Sequence, residues 1–428
     1  MKRLKLTTWI VIGMVLGIAA GYACHSSIAD AQELKAVAGY FGLVTELFLR
    51  LIKMIVAPLV FTTLVVGVGK MGDAKSVGRV GMRTLAWFLG ATFVSLLLGA
   101  LVANWFQPGA GLNLPLPDEH ASTGIRAGAI NVKEFVTHLV PKSIVQAMAE
   151  NEILQIVVFA AFFSLGIIAV GEHGKGIVIL LEQVSVVMFK VTGYVMAFAP
   201  VAVFAALAHV VAIQGLGILV SYGTFMGVFF GALALLWCAI IAAGAAVLRG
   251  RVFDLVRGVR TPMLLAFSTA SSESAYPKLL EQLERVGVPR RISSFVLPLG
   301  YSFNLDGSMI YCTFATLFIA QAYGIELSFV QQATMLAILM LTSKGMAAVP
   351  KASLVVIAAT LGQFNIPEAG LLLIMGVDTF LDMGRTATNV LGNSVAATVV
   401  TKWEGQLGPV LSDEEYEAVV TSRETEKV

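Results

Sequence analysis

Sixteen residues near the carboxy terminus, Asp378 to Asn393, gather the groups best suited to bind a charged molecule. They include two carboxylates (Asp378, Asp382), a guanidinium (Arg385), a hydroxyl (Thr386) and two amides (Asn389, Asn393). At ~100° per residue these six side chains fall within an arc of roughly 100° on one helix face. A guanidinium grips a carboxylate with a two-pronged fork, and the Asp382 carboxylate suits an ammonium group. A ligand bearing both charges, such as an acidic amino acid, satisfies Arg385 and Asp382 together. The plainer alternative is a structural ion pair between Asp382 and Arg385, which has no need of the rest of the stripe.

The solvent around that face gives it its weight. Of 428 residues, 57% are hydrophobic and only 13% charged, against about 25% charged in soluble domains. That excludes an ordinary soluble enzyme or a nucleic-acid binder, and a net charge of +2 is too small to call for a polyanionic partner. No Asp, Glu, Lys or Arg occurs between Val191 and Leu248. At ~1.5 Å per residue that stretch can cross a ~30 Å hydrocarbon core more than twice. The chain therefore reads as an all-α polytopic membrane protein in contact with lipid, and charge at membrane depth marks a substrate or ion pathway. Cys24, Cys238 and Cys312 are far apart, without metal-ligand spacing, and read as free thiols. No cofactor is implied.

Positioning the stripe requires a bundle. Apolar runs predict helices near 8–25, 40–69 (bent at Pro58) and 82–106. A Pro/Gly-rich loop follows over 107–130, then an interrupted region over 131–170 and helices near 177–211 and 218–249. Lys2, Arg3 and Lys5 ahead of Trp9–Gly21 resemble a signal peptide, but the many apolar segments that follow favour an uncleaved first helix. Basic clusters at Lys2–Lys5, Lys70–Arg83 and Arg249–Arg260 fall on one side if each segment spans once, which places both termini in the cytoplasm. Two later segments, near 258–287 and 329–362, are apolar but broken by Ser268–Pro277 and Ser343–Ser353. Bare backbone cannot face lipid, so each reads as a re-entrant helical hairpin with a buried tip. Each precedes a long helix with polar residues inside it: Asn304–Ser308 in the first, Asp378–Asn393 in the second. Hairpin then helix, twice, is an internal repeat of the kind that places a transporter's site at broken helices near the midplane.

With the serine-rich first tip, Asn304-Leu-Asp-Gly-Ser308, Val349-Pro350 in the second tip and Asp382-Met-Gly-Arg385-Thr386, the chain resembles the dicarboxylate/amino acid:cation symporter family. The likeness covers nearly the whole chain and is strongest from Ala266 to Glu404. It implies eight transmembrane helices, two re-entrant hairpins in inverted repeats, a homotrimer in a bacterial-type cytoplasmic membrane, and an elevator mechanism in which the second hairpin gates the outside. On that pattern the organisation is scaffold helices 1–2 over 1–81, transport-domain helix 3 over 82–106, and an extracellular loop over 107–130. Scaffold helices 4–5 take 131–211, the transport domain 218–401, and a cytoplasmic tail 402–428. By position, Arg385 would hold the substrate side-chain carboxylate and Asp382 its amino group. Thr386, Asn389 and Ser308 would complete that wall, Ser271 and Ser272 would contact the main carboxylate, and Val349 and Ser353 would close from the second tip. An acidic amino acid fits best. The C4-dicarboxylate branch is the alternative, though the position of Asp382 is usually not acidic there. A channel is the alternative from another class.

The departures concern coupling. Sodium-driven members carry an aspartate where Asn393 stands, and a Tyr/Thr/Ser set that aligns with Phe88, Ala91 and Thr92. Asn304 and Asp306 remain for a partial sodium site. Glu273, Asp306, Asp378 and Asp382 outnumber Arg385, so a co-transported cation is expected, and proton coupling is the reading preferred. Glu273 is the candidate carrier, or else a tip residue facing cytoplasmic water. The glutamate that carries protons in mammalian members is replaced by Cys312. Lys351 and Ala348 stand in a tip that is usually glycine-rich; Lys351 either reaches extracellular water or meets a substrate carboxylate. Arg50 and Lys53 read as reaching the membrane surface. No enzyme is implied, because the tip serines have no histidine in the same broken-helix region: His25, His120, His138, His173 and His209 lie elsewhere.

Overall fold

The computed structural model describes residues 6–69, 74–110, 137, 139–216, 222–342, 352–412, 414–416 and 418. Among these there are helices and turns and no strand. Six stretches are long and apolar enough to cross a membrane: Thr8–Ser27, Ala31–Gly69, Lys75–Phe106, Ile153–Met196, Gly223–Leu248 and Arg290–Ala322. The Asp378–Trp403 helix does not count among them, because its polar stripe lowers its mean hydropathy.

The first helices are α1 (Leu6–Ser27), α2 (Ala31–Gly69) and α3 (Ala74–Phe106). Helix α2 runs 39 residues through Pro58, about 58 Å at 1.5 Å per residue, long enough to cross the bilayer at a tilt. Helix α3 starts eight residues earlier than the sequence pattern suggested. The basic residues taken for a loop form its first turns, and Arg79 and Arg83 there reach Glu404 at 2.9 and 2.8 Å.

A short α4 (Ile144–Ala149) precedes α5 (Ile153–Val170), as the interrupted region suggested. The single helix expected near 177–211 is two, α6 (Lys175–Met196) and α7 (Ala199–Gln214). Pro200 at the start of α7 is the physical reason: proline has no N–H to give the preceding turn and is preorganised for a helix start. Helix α1 lies along α7 on Gly13, Gly17 and Gly21. A Cβ on these would meet the carbonyl oxygens of Pro200, Phe204 and Ala208 at 2.5, 2.4 and 2.6 Å. This is the small-residue spacing that lets membrane helices approach closely. Helix α2 packs against α5, α6 and α7.

Helix α8 (Gly223–Leu248) leads into α9 (Arg251–Thr269) and α10 (Ser272–Arg285), which pack side by side as the first hairpin. Next come α11 (Arg290–Phe303) and α12 (Asp306–Ala322). The sequence suggested one helix with Asn304 to Ser308 inside it. Instead the helix stops at Phe303 and restarts at Asp306, with Asn304 and Leu305 in non-helical conformations. Helices α13 (Phe329–Thr342) and α14 (Ala352–Gln363) pack together as the second hairpin. The tip between them, including Val349, Ala348 and Lys351, lies outside the described residues. A short α15 (Leu371–Met375) precedes α16 (Asp378–Trp403). Helix α16 is enclosed by α8, α9, α11 and α12, and every residue from Met383 to Thr401 is buried.

Candidate functional site

The site is built where α16 passes the α11–α12 break. Enclosure on four sides shields the α16 charges from lipid, so they must find partners within the protein. Arg385, 1% exposed, directs one nitrogen at two carboxylates: Nη2 lies 3.1 Å from Asp378 Oδ1 and 2.8 Å from Asp382 Oδ1. The guanidinium carbon stands 4.0 Å over the Tyr311 ring, and the Tyr311 hydroxyl donates to Asp378 Oδ1 at 3.0 Å. Asp378, Tyr311 and Arg385 thus form a closed triangle, with Asp382 on the more open side. Nη1 and Nε of Arg385 are buried and have no hydrogen-bond partner among the described residues. A buried guanidinium with two unanswered donors is costly unless an anion answers them; Nε and Nη1 flank Nη2 on its two edges, so a carboxylate engages one of them at a time, in a fork shared with Nη2.

The break carries a second cluster. Asn304 Nδ2 donates to Asp306 Oδ2 at 3.0 Å and to Asn393 Oδ1 at 3.2 Å. From α3, Ser95 Oγ approaches Asp306 Oδ1 at 3.4 Å, and Thr92 Oγ1 reaches the last carbonyl of α11, Phe303 O, at 3.5 Å. The non-helical Asn304 is thereby fixed by side chains from α16 and its own chain. Asn304 Oδ1 is buried and has no partner among the described residues. Asn389, one turn beyond Arg385 on α16, accepts the Gly307 N–H at 2.8 Å and approaches Ser308 Oγ at 3.5 Å. The helices approach closely here: a Cβ on Gly307 would meet Arg385 O at 2.3 Å, and one on Gly392 would meet Asp306 Oδ2 at 2.0 Å.

The first tip is shaped by Ala270, left-handed at φ 47°, and by Ser271, which caps α10. Ser274 Oγ donates to Ser271 O at 2.8 Å, within 2.8 Å of Thr269 Oγ1. This network turns the chain sharply and leaves Ser271, Ser272 and Glu273 half-buried at the start of α10, which packs against α16 and α2. A helix start presents N–H groups and the positive end of its dipole, a setting that suits an anion. On the other side, α14 packs on α12, and Ser353 O lies 4.0 Å from Cys312 Sγ.

Of the residues singled out from sequence, Arg385 and Asp382 pair on α16, Asn389 meets the Gly307–Ser308 start of α12, and Asn304, Asp306 and Asn393 cluster at the break. Thr386 is buried next to Arg385 in the same helix. Ser271, Ser272 and Glu273 form the first tip, and Ser353 sits at the second. Val349 lies outside the described residues. The Asp382–Arg385 ion pair, weighed above as the plain alternative, is present as one edge of a larger assembly. Sequence reasoning placed Asp378 on the polar face but missed it as the clamp on Arg385; its spacing of two full turns was the available signal. It also missed Tyr311 and Ser95, whose roles depend on helices far apart in the chain. Arg50 pairs with Glu46 at 2.6 Å on the exposed face of α2.

The model of the sodium:dicarboxylate symporter family matches residues 6–403. A proton/sodium-glutamate symport protein of Bacillus subtilis (strain 168) is 41% identical over all of this chain and 99% of its own length. A proton/glutamate-aspartate symporter of Escherichia coli (strain K12) is 42% identical over 94% of each chain. A C4-dicarboxylate transport protein of Laribacter hongkongensis (strain HLHK9) is 40% identical over 93% of this chain and 89% of its own. With the match running from the first described helix to the end of the helix that carries Arg385, the chain belongs to the sodium:dicarboxylate symporter family.

Proposed function

We propose that the protein is a secondary active symporter that takes up an acidic amino acid, glutamate or aspartate, together with a cation. The observation that carries this is the pair of unpartnered, buried Arg385 donors beside the 35%-exposed Asp382 carboxylate. As Asp382 turns from Arg385 Nη2 to the substrate ammonium, Nη2 and an adjacent free donor form the fork that takes the side-chain carboxylate. The α10 start, with Ser271 and Ser272, takes the second carboxylate, while Thr386, Asn389 and Ser308 line the wall. Glutamate and aspartate appear in the names of relatives about 40% identical along nearly their whole length, which supports the same reading. The C4-dicarboxylate alternative lacks a use for Asp382.

The coupled cation is read as a proton. Asn393 offers an amide where a hard cation needs a carboxylate, while Asn304 and Asp306 keep a partial sodium site. Glu273, half-buried at the first tip, is the carrier. The protein works as a multi-pass carrier with both termini in the cytoplasm of a bacterial-type cytoplasmic membrane. Eight spans and two hairpins form a homotrimer in which α3 and the segment 218–401 slide as the transport domain. The packing of α3 on α12, and of α1, α5, α6 and α7 around α2, supports that division. The second hairpin, with Val349 and Ser353, gates the outside.

Uptake into proteoliposomes with separately imposed sodium and pH gradients tests the reading. Labelled glutamate or aspartate should accumulate under an inward proton gradient and exchange in counterflow without any gradient. Strict sodium dependence with no response to pH would remove the proton. Uptake of C4-dicarboxylates alone would move the substrate to the other branch, and flux without trans-stimulation would mark a channel.

A further inference from the structure

After α16 ends at Trp403 the chain does not leave the protein. The side chain of Glu404 is only 2% exposed, held by Arg79 at 2.9 Å and Arg83 at 2.8 Å from α3. Arg83 Nη1 also donates to Trp403 O at 2.5 Å. Gln406 Oε1 accepts from Arg291 Nε of α11 at 3.0 Å. The backbone then pairs with the turn between α10 and α11: Gly408 N donates to Gly287 O at 2.9 Å and Leu411 N to Arg285 O at 2.7 Å. Arg251 at the start of α9 closes the arrangement, since one nitrogen donates to both Val286 O and Gly408 O at 2.9 Å. Gly287 has φ +90°, and a Cβ there would meet Gly408 O at 2.3 Å, so the turn is shaped for this neighbour. Beyond it, the Arg285 guanidinium lies 4.4 Å over the Tyr416 ring.

We infer that Glu404–Ser412 is a strap that fixes the base of the first hairpin to α3 and α16, making its members positioning residues for the tip that carries Ser271, Ser272 and Glu273. The sequence suggests only a cytoplasmic tail over 402–428. The strap touches both arms of the hairpin at their bases, Arg251 of α9 and Arg285–Gly287 after α10. Helix α10 has 14 residues, about 21 Å at 1.5 Å per residue. A tilt of about 5° at its base therefore moves the tip by about 2 Å, enough to spoil contacts that require near-ångström placement. With the base tied, the first hairpin moves with α16 as one body, and opening is left to the second hairpin. This inference rests on the transport reading for its consequence, but not for its structural content.

The test uses the full-length protein with Arg251→Ala, and Glu404→Gln as a second variant that keeps side-chain shape if the first fails to fold. Hydrogen exchange is followed in peptides covering 405–412 and 283–292, with 223–248 as an internal reference. Both regions should exchange on the order of tenfold faster in the variants while the reference is unchanged. In proteoliposomes the substrate KM should rise severalfold and the accumulation ratio fall, while counterflow persists. Wild-type exchange rates at 405–412 and 283–292 would overturn the strap. Faster exchange with unchanged KM and accumulation would reduce it to a structural tie and overturn the positioning role. If the wild-type protein accumulates no acidic amino acid, the transport reading falls, and the exchange result alone decides whether the strap exists.

Discussion

Asp378 Oδ1 lies 3.1 Å from Arg385 Nη2 across two turns of α16, and with Asp382 on the same nitrogen that contact leaves Nη1 and Nε as the donors for a ligand. Asp378 and Asp382 share Nη2, the Tyr311 ring supports the guanidinium face, and Nη1 and Nε are left without a partner among the described residues. The guanidinium is thus already oriented, and little of the substrate's binding energy need be spent on turning it.

Replacing Asp378 by Asn keeps the shape and removes the charge that aims Arg385. Breaking a buried charged pair costs ~2–5 kcal/mol, so the substrate KM should rise by at least about tenfold. Tyr311→Phe keeps the ring under the guanidinium and loses only the hydroxyl bond to Asp378, worth ~0.5–1.5 kcal/mol, so its KM should rise only a few fold. Initial uptake rates across substrate concentration check both. An Asp378→Asn variant with wild-type KM would show that the clamp does not aim the arginine.

Asp382 separates substrates with an amino group from those without. Asp382→Thr should weaken glutamate or aspartate by about 1.5–3 kcal/mol, the value of a charged hydrogen bond, and leave C4-dicarboxylates unaffected or improved. Competition of labelled glutamate uptake by unlabelled succinate measures the shift. An unchanged ratio would take Asp382 off the ammonium.

Asn393 stands within 3.2 Å of Asn304, which in turn donates to Asp306. Asn393→Asp puts a second carboxylate into that cluster, giving an oxygen set suited to a hard cation. Uptake should become more strongly stimulated by sodium, with half-stimulation at lower sodium concentration. A sodium titration that superimposes on wild type would detach this cluster from coupling.

Glu273→Gln removes the only ionisable side chain among the tip residues Ser271–Ser274. Uptake driven by a proton gradient should fall by about tenfold or more, while counterflow, which needs no net proton movement, persists. Unchanged proton-driven uptake would leave Glu273 as a tip residue facing water.

The polar stripe of α16 and the two broken hairpins were legible in the sequence because polar residues stand out in a chain this apolar, and helical periodicity places them on one face. The break at Asn304–Leu305 was not legible. Its stability comes from Asn393 on α16 and Thr92 on α3, partners that no local window contains. Tyr311 escaped for the same reason, since its contact with Asp378 spans 67 positions. The early start of α3 was hidden because charges usually signal a loop, yet here Arg79 and Arg83 are drawn into a helix whose far partner is Glu404.

The seam between α1 and α7 places glycines every fourth residue against carbonyls every fourth residue, Gly13, Gly17 and Gly21 against Pro200, Phe204 and Ala208. Two combs of equal pitch can mesh one tooth out of step, so the seam alone leaves a ratchet position about 6 Å away almost as good. His25 Nδ1 lies 2.8 Å from Ala212 O, one step past the last tooth, and continues the same pitch with a hydrogen bond. The glycine comb thus sets how closely the two helices lie, and the histidine contact adds a directional bond that fits one register of the seam.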